Sequence, residues 1–538
     1  MIIDYGNAPI LVPPSEIIPE TYQDDVAELF DVWASVAPRN DMLSRYYRMH
    51  NAIKPLGISV PSEVESKLAP VCGWASKAVR ARTSRTDFQG FVRANGSSDD
   101  VLDELVREND MRSLHSRLCV SKYVYGLAAY TVMAGGIGQP SVVVRGYSAR
   151  QCAVIWDKDA GRLKCGIVLS DVDSDGNPLR YTAHFSDAVL SIWRTVGAYD
   201  WHCDVMPHAM GRPLMDVIVN DPDQDRPLGH SVLTPEVLDI VDTALRDLAR
   251  QEIAEEFYAF PQRYLLGVAR DFFTGTGSVA DDADAIDDAE DGFPADDSDT
   301  SSTTDGDTGT ISYSKAVSEM QKLRMYMGTW LAITRDEDGE VPTVGQFDAP
   351  DPSAFSAAFE SDAQRFSGAT NVPLAQLGVL SNNYTSSDAL NATNDPLCLE
   401  VEAGNRFDAH VLESVARMML AIDRETSLDA LGGNGNVQAV FADPSMPTIA
   451  SRADAWSKLA SVDTSIIGTR VFYEGVGLSE ATIDRLENEK HRQSVTNALL
   501  SLAGASATAS QPNATQAATQ TAHGAETDTQ AESEHVVE

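Results

Sequence analysis

The stretch Asn371-Val-Pro-Leu-Ala-Gln-Leu-Gly378, followed by Asn382-Asn-Tyr-Thr-Ser-Ser-Asp-Ala-Leu390, decides how this chain is read. A helical pattern leads into it, Pro373 and Gly378 punctuate it, and the hydroxyls of Ser386 and Ser387 are placed to cap a following helix. It matches no enzyme motif. A segment between two helices whose Asn382, Asn383 and Tyr384 are polar and uncharged suits a structural device.

Working outward, Ser353 to Phe366 reads as the helix before this stretch, capped by Ser353 after Asp351-Pro352 and striped by Phe355, Phe359 and Phe366. Phe407 to Ile422 reads as a helix after it, with Val411, Val415, Met418, Met419 and Ile422 on one face. Upstream, Leu233-Thr-Pro-Glu-Val opens the clearest helix of the chain. Thr234 suits the N-cap and Pro235 the first helical position, where a missing N–H costs nothing. Val241, Ala244, Leu245, Leu248 and Ala249 then recur at helical spacing, and the pattern continues toward Pro261. Such a helix of about 25 residues is roughly 37 Å long.

The N-terminal part mixes both periodicities. Val26, Leu29, Phe30, Trp33 and Val36 predict a helix, and a second run ends at Tyr46-Tyr47-Arg-Met-His50. A further helix is predicted from Pro61 through Trp74 to Arg82 within residues 61–94, and another from Asp99 to Gly126 with Leu102, Leu105, Val106, Leu114 and Leu118 on its stripe. Between 128 and 220 short apolar runs such as Ser141–Val144, Ala153–Trp156, Cys165–Leu169 and Asp216–Val219 predict strands, so the first 225 residues read as α+β. At the other end, Arg452 to Val462 and Ser479 to Leu500 read as helices joined through Gly475-Val-Gly477.

Two segments resist folding on composition. Residues 281–307 hold twelve carboxylates and no Lys or Arg, so they cannot bury enough apolar area to offset chain entropy and read as a disordered acidic insert. The chain beyond Gly504 is rich in Ala, Thr, Gln and Ser and has no basic residue, which predicts a disordered tail over 501–538.

With 538 residues the chain exceeds one ordinary core, and 43% hydrophobic residues suffice to fold several subdomains. Its 80 acidic against 41 basic residues give a formal net charge of −39, which argues against tight nucleic-acid binding because that relies on Lys and Arg neutralising phosphates. DNA passing nearby without sticking is compatible with it. No apolar run is long enough to span a membrane, and Met1 to Glu16 lacks the basic start and apolar core of a secretion signal. Cys72, Cys119, Cys152, Cys165, Cys203 and Cys398 are scattered without a CxxC pair and read as reduced, packed thiols of a protein assembled in the cytoplasm.

GxxxxGK[ST], GxSxG and HExxH are absent. Asp171-Val-Asp-Ser-Asp-Gly176 matches the first half of a calcium loop, but position 12 would be Thr182, which supplies no bidentate carboxylate, and the apolar runs on both sides favour a hairpin turn. Trp201-His202-Cys203 with His208 offers three donors in a strand-edge segment, too few for a metal site. No spacing groups Ser, His and Asp into a catalytic set. No catalytic residue, metal or cofactor is expected.

Taken in order, Tyr46-Tyr47, Asp225-Arg-Pro-Leu-Gly-His-Ser-Val-Leu233, Ala259-Phe-Pro-Gln-Arg-Tyr264, Val344-Gly-Gln-Phe347, Ser386-Ser-Asp-Ala-Leu390 and Val476-Gly-Leu-Ser-Glu-Ala-Thr-Ile-Asp484 resemble the portal proteins of tailed bacteriophages, of siphophage type, over roughly residues 25 to 500. The resemblance implies an N-terminal α+β wing over 1–230, a stem helix over 231–260, a clip region over 261–350 and a second stem helix over 351–370. A channel loop over 371–386 and a wing return with a helical crown over 387–500 would complete it. The acidic insert falls where the family's clip lies and departs from its pattern. The resemblance also implies a ring of about twelve subunits with closed rotational symmetry, set at one capsid vertex of the virion and assembled in the host cytoplasm. Its partners would be the terminase large subunit, head–tail adaptor proteins, the major capsid and scaffolding proteins, and double-stranded DNA passing through the channel, with no membrane involved. Asn382, Asn383 and Tyr384 would meet that DNA, and a plain surface turn is the alternative for them. A capsid-associated maturation enzyme, or another structural head protein such as a scaffold or tail-sheath component, is the competing reading. The enzyme would need a catalytic cluster, and the tail-sheath or scaffold component long heptads or repeats.

Overall fold

The computed structural model describes residues 8–50, 70–93, 99–197, 200–259, 263–266, 343–346, 353–379, 392–445, 449–478 and 480–508. The acidic insert, the Asn382–Tyr384 segment, residues 51–69 and residues beyond 508 lie outside them. The chain divides into two compact units, Met1–Met446 and Pro447–Glu538.

In the first unit, α1 (Glu20–Tyr47) joins both N-terminal helical runs into one 28-residue helix that passes through Pro38. Proline removes the bond to the carbonyl four residues back, and here that residue, Ala34, is exposed. Val26, Leu29, Phe30 and Trp33 bury the first half against an antiparallel sheet in the order β4-β5-β6-β7-β8 (Cys152–Asp157, Arg162–Val172, Pro178–His184, Ala188–Arg194, Trp201–Pro207). Tyr181 centres that contact, with Phe30 and Trp33 edge-on at 5.2 and 5.9 Å. Of the Asp171–Gly176 segment, Asp171 and Val172 end β5 and Asp173–Gly176 form the hairpin turn to β6, where the Asp173 carboxylate accepts from the amides of Asp175 and Asn177.

A second antiparallel sheet, β3-β2-β9 (Val142–Ser148, Leu127–Ala134, Met215–Val219), meets the first through Ala129, Met215 and Val217 against Cys152, Val154 and Val168. Its other face carries Tyr130, Val132, Val144 and Ile218, which form the largest core with Leu114, Leu118, Leu412, Val415 and Met419. The stretch from Asp99 to Gly126 is two helices, α3 (Asp100–Glu108) and α4 (Met111–Tyr125), not one. Asp110 adopts φ 46°, and the Asn109 amide donates to Leu105 O and Val142 O while accepting from Val144 N, so the break docks on β3.

The prediction for 61–94 needs correction. Residues 70–73 are not helical, α2 begins at Trp74 and ends at Thr83, and Phe88–Arg93 is a strand, β1. It pairs with β12 (Val437–Phe441), far along the chain, with a bulge between Phe88 and Gly90. Phe88 and Phe91 are three apart, a helix-like spacing, and tertiary pairing overrides it.

The helix after the opening stretch, α7, spans Asp395–Asp423 and so starts well before Phe407. Its buried face runs Leu397, Val401, Asn405, Asp408, Leu412, Val415 and Met419. Two polar residues interrupt the apolar stripe there, which hides the first three turns from a periodicity search. All six cysteines are unpaired, with Cys72, Cys119, Cys152 and Cys165 buried.

The second unit contains α8 (Ile449–Val462), α9 (Arg470–Val476) and α10 (Glu480–Thr508). Gly475 is required by close approach, because a Cβ there would stand 1.9 Å from the Trp456 ring. Arg470 reaches Glu474, Asp484 and Glu487, tying α9 to α10. Helix α10 continues past Gly504 to Thr508, so the expected tail is helical over its first residues. Among the described residues, no helix is long and apolar enough to cross a membrane.

Candidate functional site

The site is the unit that carries the opening stretch. It begins with α5 (Pro235–Ala259), whose N-terminus forms as the sequence predicts: Thr234 Oγ1 accepts from Val237 N at 3.3 Å. Val237, Val241, Ala244, Leu245 and Ala249 are buried. The Asp225–Leu233 motif is the turn that sets this helix in place. Gly229 adopts φ 75° where a Cβ would meet Asn220 O at 2.4 Å, His230 and Asn220 bond each other's backbone, and Ser231 Oγ donates to Val124 O at 2.6 Å. From α1, the Tyr46 hydroxyl reaches both carboxylate oxygens of Asp242 at 2.9 Å. Burial, then Asp242, holds that phenol well above its ordinary range.

Two more of the sequence motifs meet where α5 ends. Arg263–Leu266 (β10) and Thr343–Gln346 (β11) form an antiparallel ladder in which Arg263 opposes Gln346 and Leu266 opposes Thr343. The insert between them thus departs from and returns to one two-stranded base. The chain then packs back on α5 as α6 (Ser353–Thr370). Trp74 of α2 lies against Phe359 and Phe366 of α6 at 4.7 and 5.4 Å. Asp362 sits in this packing with its carboxyl raised, first by burial and then by Asp247, while Arg365 and Arg246 oppose the rise.

The opening stretch follows directly. Asn371 leaves the helix at φ 54°, Val372 is fully buried, and a 3-10 turn over Leu374–Leu377 ends at Gly378 with φ 85°. Two arginines, Arg82 in the last turn of α2 and Arg85 just past its end, hold the two ends of the following segment together. The buried Arg82 guanidinium donates to Ala78 O at 2.9 Å, to Thr370 O at 2.8 Å and to Glu400 of α7 at 2.6 Å. Arg85 donates to Asn394 Oδ1 at 3.0 Å, and Gln376 donates to the same oxygen at 3.2 Å. The described residues on either side of 380–391 are therefore joined to each other by hydrogen bonds, a closed root. Asn382, Asn383 and Tyr384 belong to that segment, outside the described residues, as does the expected cap at Ser386/Ser387.

A second polar cluster escaped the sequence reading because its members lie far apart in the chain. His115, Cys119 and Lys122 of α4 meet Asp408 of α7, all fully buried. His115 Nδ1 pairs with Tyr130 OH at 2.8 Å, Cys119 Sγ lies 3.4 Å from His115 Nε2, and Lys122 Nζ is 2.6 Å from Asp408 Oδ2. The His115, Cys119 and Asp408 ligand atoms fall within 4.8 Å of one another. Their chemistry opposes a metal. Burial pushes Lys122 down, but Asp408, together with Tyr123 and Cys119, more than restores it, and the carboxylate already holds the Lys122 ammonium. Burial also pushes the Cys119 thiol up, away from the thiolate a metal needs. The cluster is an ion pair with a neutral imidazole beside it. The Trp201-His202-Cys203 and His208 donors form no such group among the described residues. His202 packs on Trp193 at 4.8 Å, and His208 Nδ1 accepts from Met210 N.

Two buried histidines give a pH dependence. Burial takes His115 down to about 4, with Asp408 opposing and Lys122 adding, and takes His184 down to about 3, with His208 adding. In the unfolded chain both titrate near 6.5, so below that pH the unfolded state gains protons the folded state refuses. Stability present above pH ~6.5 is therefore lost as pH falls toward the folded values. Thermal unfolding midpoints should drop between pH 6.5 and 4, and His184→Leu should flatten that slope. An identical slope in the variant would show that His184 is not held neutral.

The chain belongs to the phage portal protein family, SPP1 Gp6-like, whose family model matches residues 27–494. It is 23% identical over 449 residues to the portal protein of Mycobacterium phage D29, covering 81% of this chain and 82% of that protein. It is likewise 23% identical over 427 residues to the portal protein of Mycobacterium phage L5, covering 77% of each. Among solved structures, it is similar to a chain of the native gene transfer agent virion at 13% identity and TM-score 0.39, over 82% of this chain and 93% of that one. The α+β reading and the family resemblance both hold, and the family match begins in α1 and ends in α10.

Proposed function

We propose that copies of this chain form a ring at one capsid vertex, through whose centre double-stranded DNA is packaged and later ejected. Membership of the portal family over residues 27–494 carries this reading. Within it, α5 and α6 are the stem, the β10–β11 ladder is the base of the clip, and residues 371–386 are the channel loop. The closed root made by Arg82, Arg85, Gln376, Asn394 and Glu400 supports the last assignment, since a loop pressed by moving DNA needs fixed ends. The net charge of −39 supports it too, because a wall that binds phosphate weakly lets DNA slide. Asn382, Asn383 and Tyr384 are the channel residues in this reading, polar and without charge. The role is mechanical, with no covalent step. The partners are further copies of the chain, the terminase large subunit during packaging, head–tail adaptors afterwards, and the capsid and scaffolding proteins around the vertex.

Negative-stain microscopy and native mass spectrometry of purified protein test this together. The expected result is a ring with a central hole and a mass about twelve times that of one chain. Monodisperse monomers or open filaments at micromolar concentration would sink the proposal.

A further inference from the structure

Helices α8, α9 and α10 make a unit with very little interior. Among its described side chains only Ala460 and Ile483 are buried. Around them Trp456 meets Phe472 edge-on at 6.1 Å, Lys490 Nζ donates to Tyr473 OH at 2.6 Å, and Arg470 reaches Asp484 and Glu487 of α10. Those charged groups are half exposed, and such ion pairs contribute at most about 1 kcal/mol each. Small folded units with so little core are stabilised by disulfides, by a metal or by association. No cysteine follows Cys398, and among the described residues the one cluster of possible metal ligands lies in the first unit. Association is the route left to this unit.

Two of its surfaces are uncovered. The first is the corner where α8 turns into α9 through a 3-10 turn over Thr464–Ile466. Leu459, Val462, Ile467 and Val471 lie around that corner, and all four are exposed, Val462 at 89%. Single exposed apolar residues are ordinary. Four around one corner present on the order of 400 Å², a size at which exposed apolar surface marks an interaction site. The second surface is α10 itself. Past Ile483 none of its described side chains is buried, and Leu486 and Val495 are among the exposed ones. Helices in proteins draw most of their stability from packing one face, and the 29 residues of α10 extend about 43 Å.

We propose that α10 of one copy lies across the α8–α9 corner of the next, an inference that rests on the ring reading of this chain. A ring closed by rotation joins unlike surfaces head to tail, so each copy has to offer two different patches. The second unit offers two, and each is what the other lacks: an apolar corner without a cover and a helix without a support. One helix face is smaller than the roughly 800 Å² per partner of a standard stable interface. The contact therefore reinforces a ring that is also held elsewhere.

The test uses the full-length protein with a photoreactive benzophenone side chain in place of Val462. After assembly and irradiation, cross-linked chain dimers are separated on a denaturing gel and the joined peptides are identified by mass spectrometry. The expected product links position 462 of one chain to α10 of another. Links confined to a single chain, or dimers joined to residues before Pro447, overturn the inference. If a ring is seen by microscopy alongside either of those outcomes, the ring reading stands without this contact, whereas protein that forms no ring removes both. Amide exchange supplies a second readout, in the double variant Val462→Asp/Val471→Asp. Exchange over residues 484–496 should be at least about tenfold faster than in wild-type rings, with β5–β7 unchanged. Equal exchange in α10 of variant and wild type would show that the helix gains nothing from the corner.

Discussion

Procapsids carrying Asn383→Lys are expected to assemble normally and to package little DNA at low salt. In the proposed ring the change places about twelve ammonium groups around one constriction, each able to pair with a phosphate of the passing duplex. Every such contact must be broken for DNA to advance, so a weakly adhesive wall becomes an adhesive one. The opposing effect, screening, grows with ionic strength, and each phosphate contact contributes roughly −0.9 to the slope of log affinity against log salt. With even a few contacts engaged, packaging should fall by about tenfold at low salt and recover as salt rises. Asn383→Ala removes one polar group and adds no charge, and should be far milder. The measurement is DNA packaged per procapsid for wild type and both variants across a salt series. Equal packaging by wild type and the Lys variant at low salt would place residues 380–391 away from the DNA.

What the sequence shows and what it hides follow the range of the interactions. Helix α5 was legible because its cap, its first-turn proline and its apolar stripe are all local. The Asp171–Gly176 turn was legible for the same reason, since Asp173 bonds amides two and four residues on. Strand β1 was not legible, because only pairing with Val437–Phe441 makes Phe88–Arg93 extended. The motifs around Arg263 and Val344 were recognisable in order, but their ladder forms across a long insert and could not be read from either one. The start of α7 was hidden by Asn405 and Asp408, polar residues on a buried face. Arg82 and Arg85 look like part of a solvated basic patch until the fold brings Thr370, Asn394 and Glu400 to them.

Those arginines carry the other large expected effect. Arg82 is 5% exposed, and its guanidinium serves acceptors on three sides: Ala78 O, Thr370 O and Glu400. Arg82→Ala removes all three at once and leaves a void beneath Thr370 and α7. Glu400 is 41% exposed, so its freed carboxylate is rehydrated and the ion pair itself contributes little. The buried Thr370 end has no such recourse, and the lost hydrogen bonds and packing together should cost about 2–4 kcal/mol. Arg82→Lys should recover less than half, since one ammonium on a flexible stem cannot span acceptors a planar fork reaches together. Denaturant midpoints at fixed protein concentration give the stability, because assembly would otherwise shift them by mass action. The local consequence is read separately, by the rate of chymotryptic cleavage after Tyr384. If the arginine closes the root of the 380–391 segment, cleavage in Arg82→Ala should accelerate by about tenfold while the chain remains folded. A variant within about 0.5 kcal/mol of wild type and cleaved at the same rate would mean that α6 and α7 hold the segment without it. The closed root would then be a consequence of helix packing, with the arginine only filling the space between.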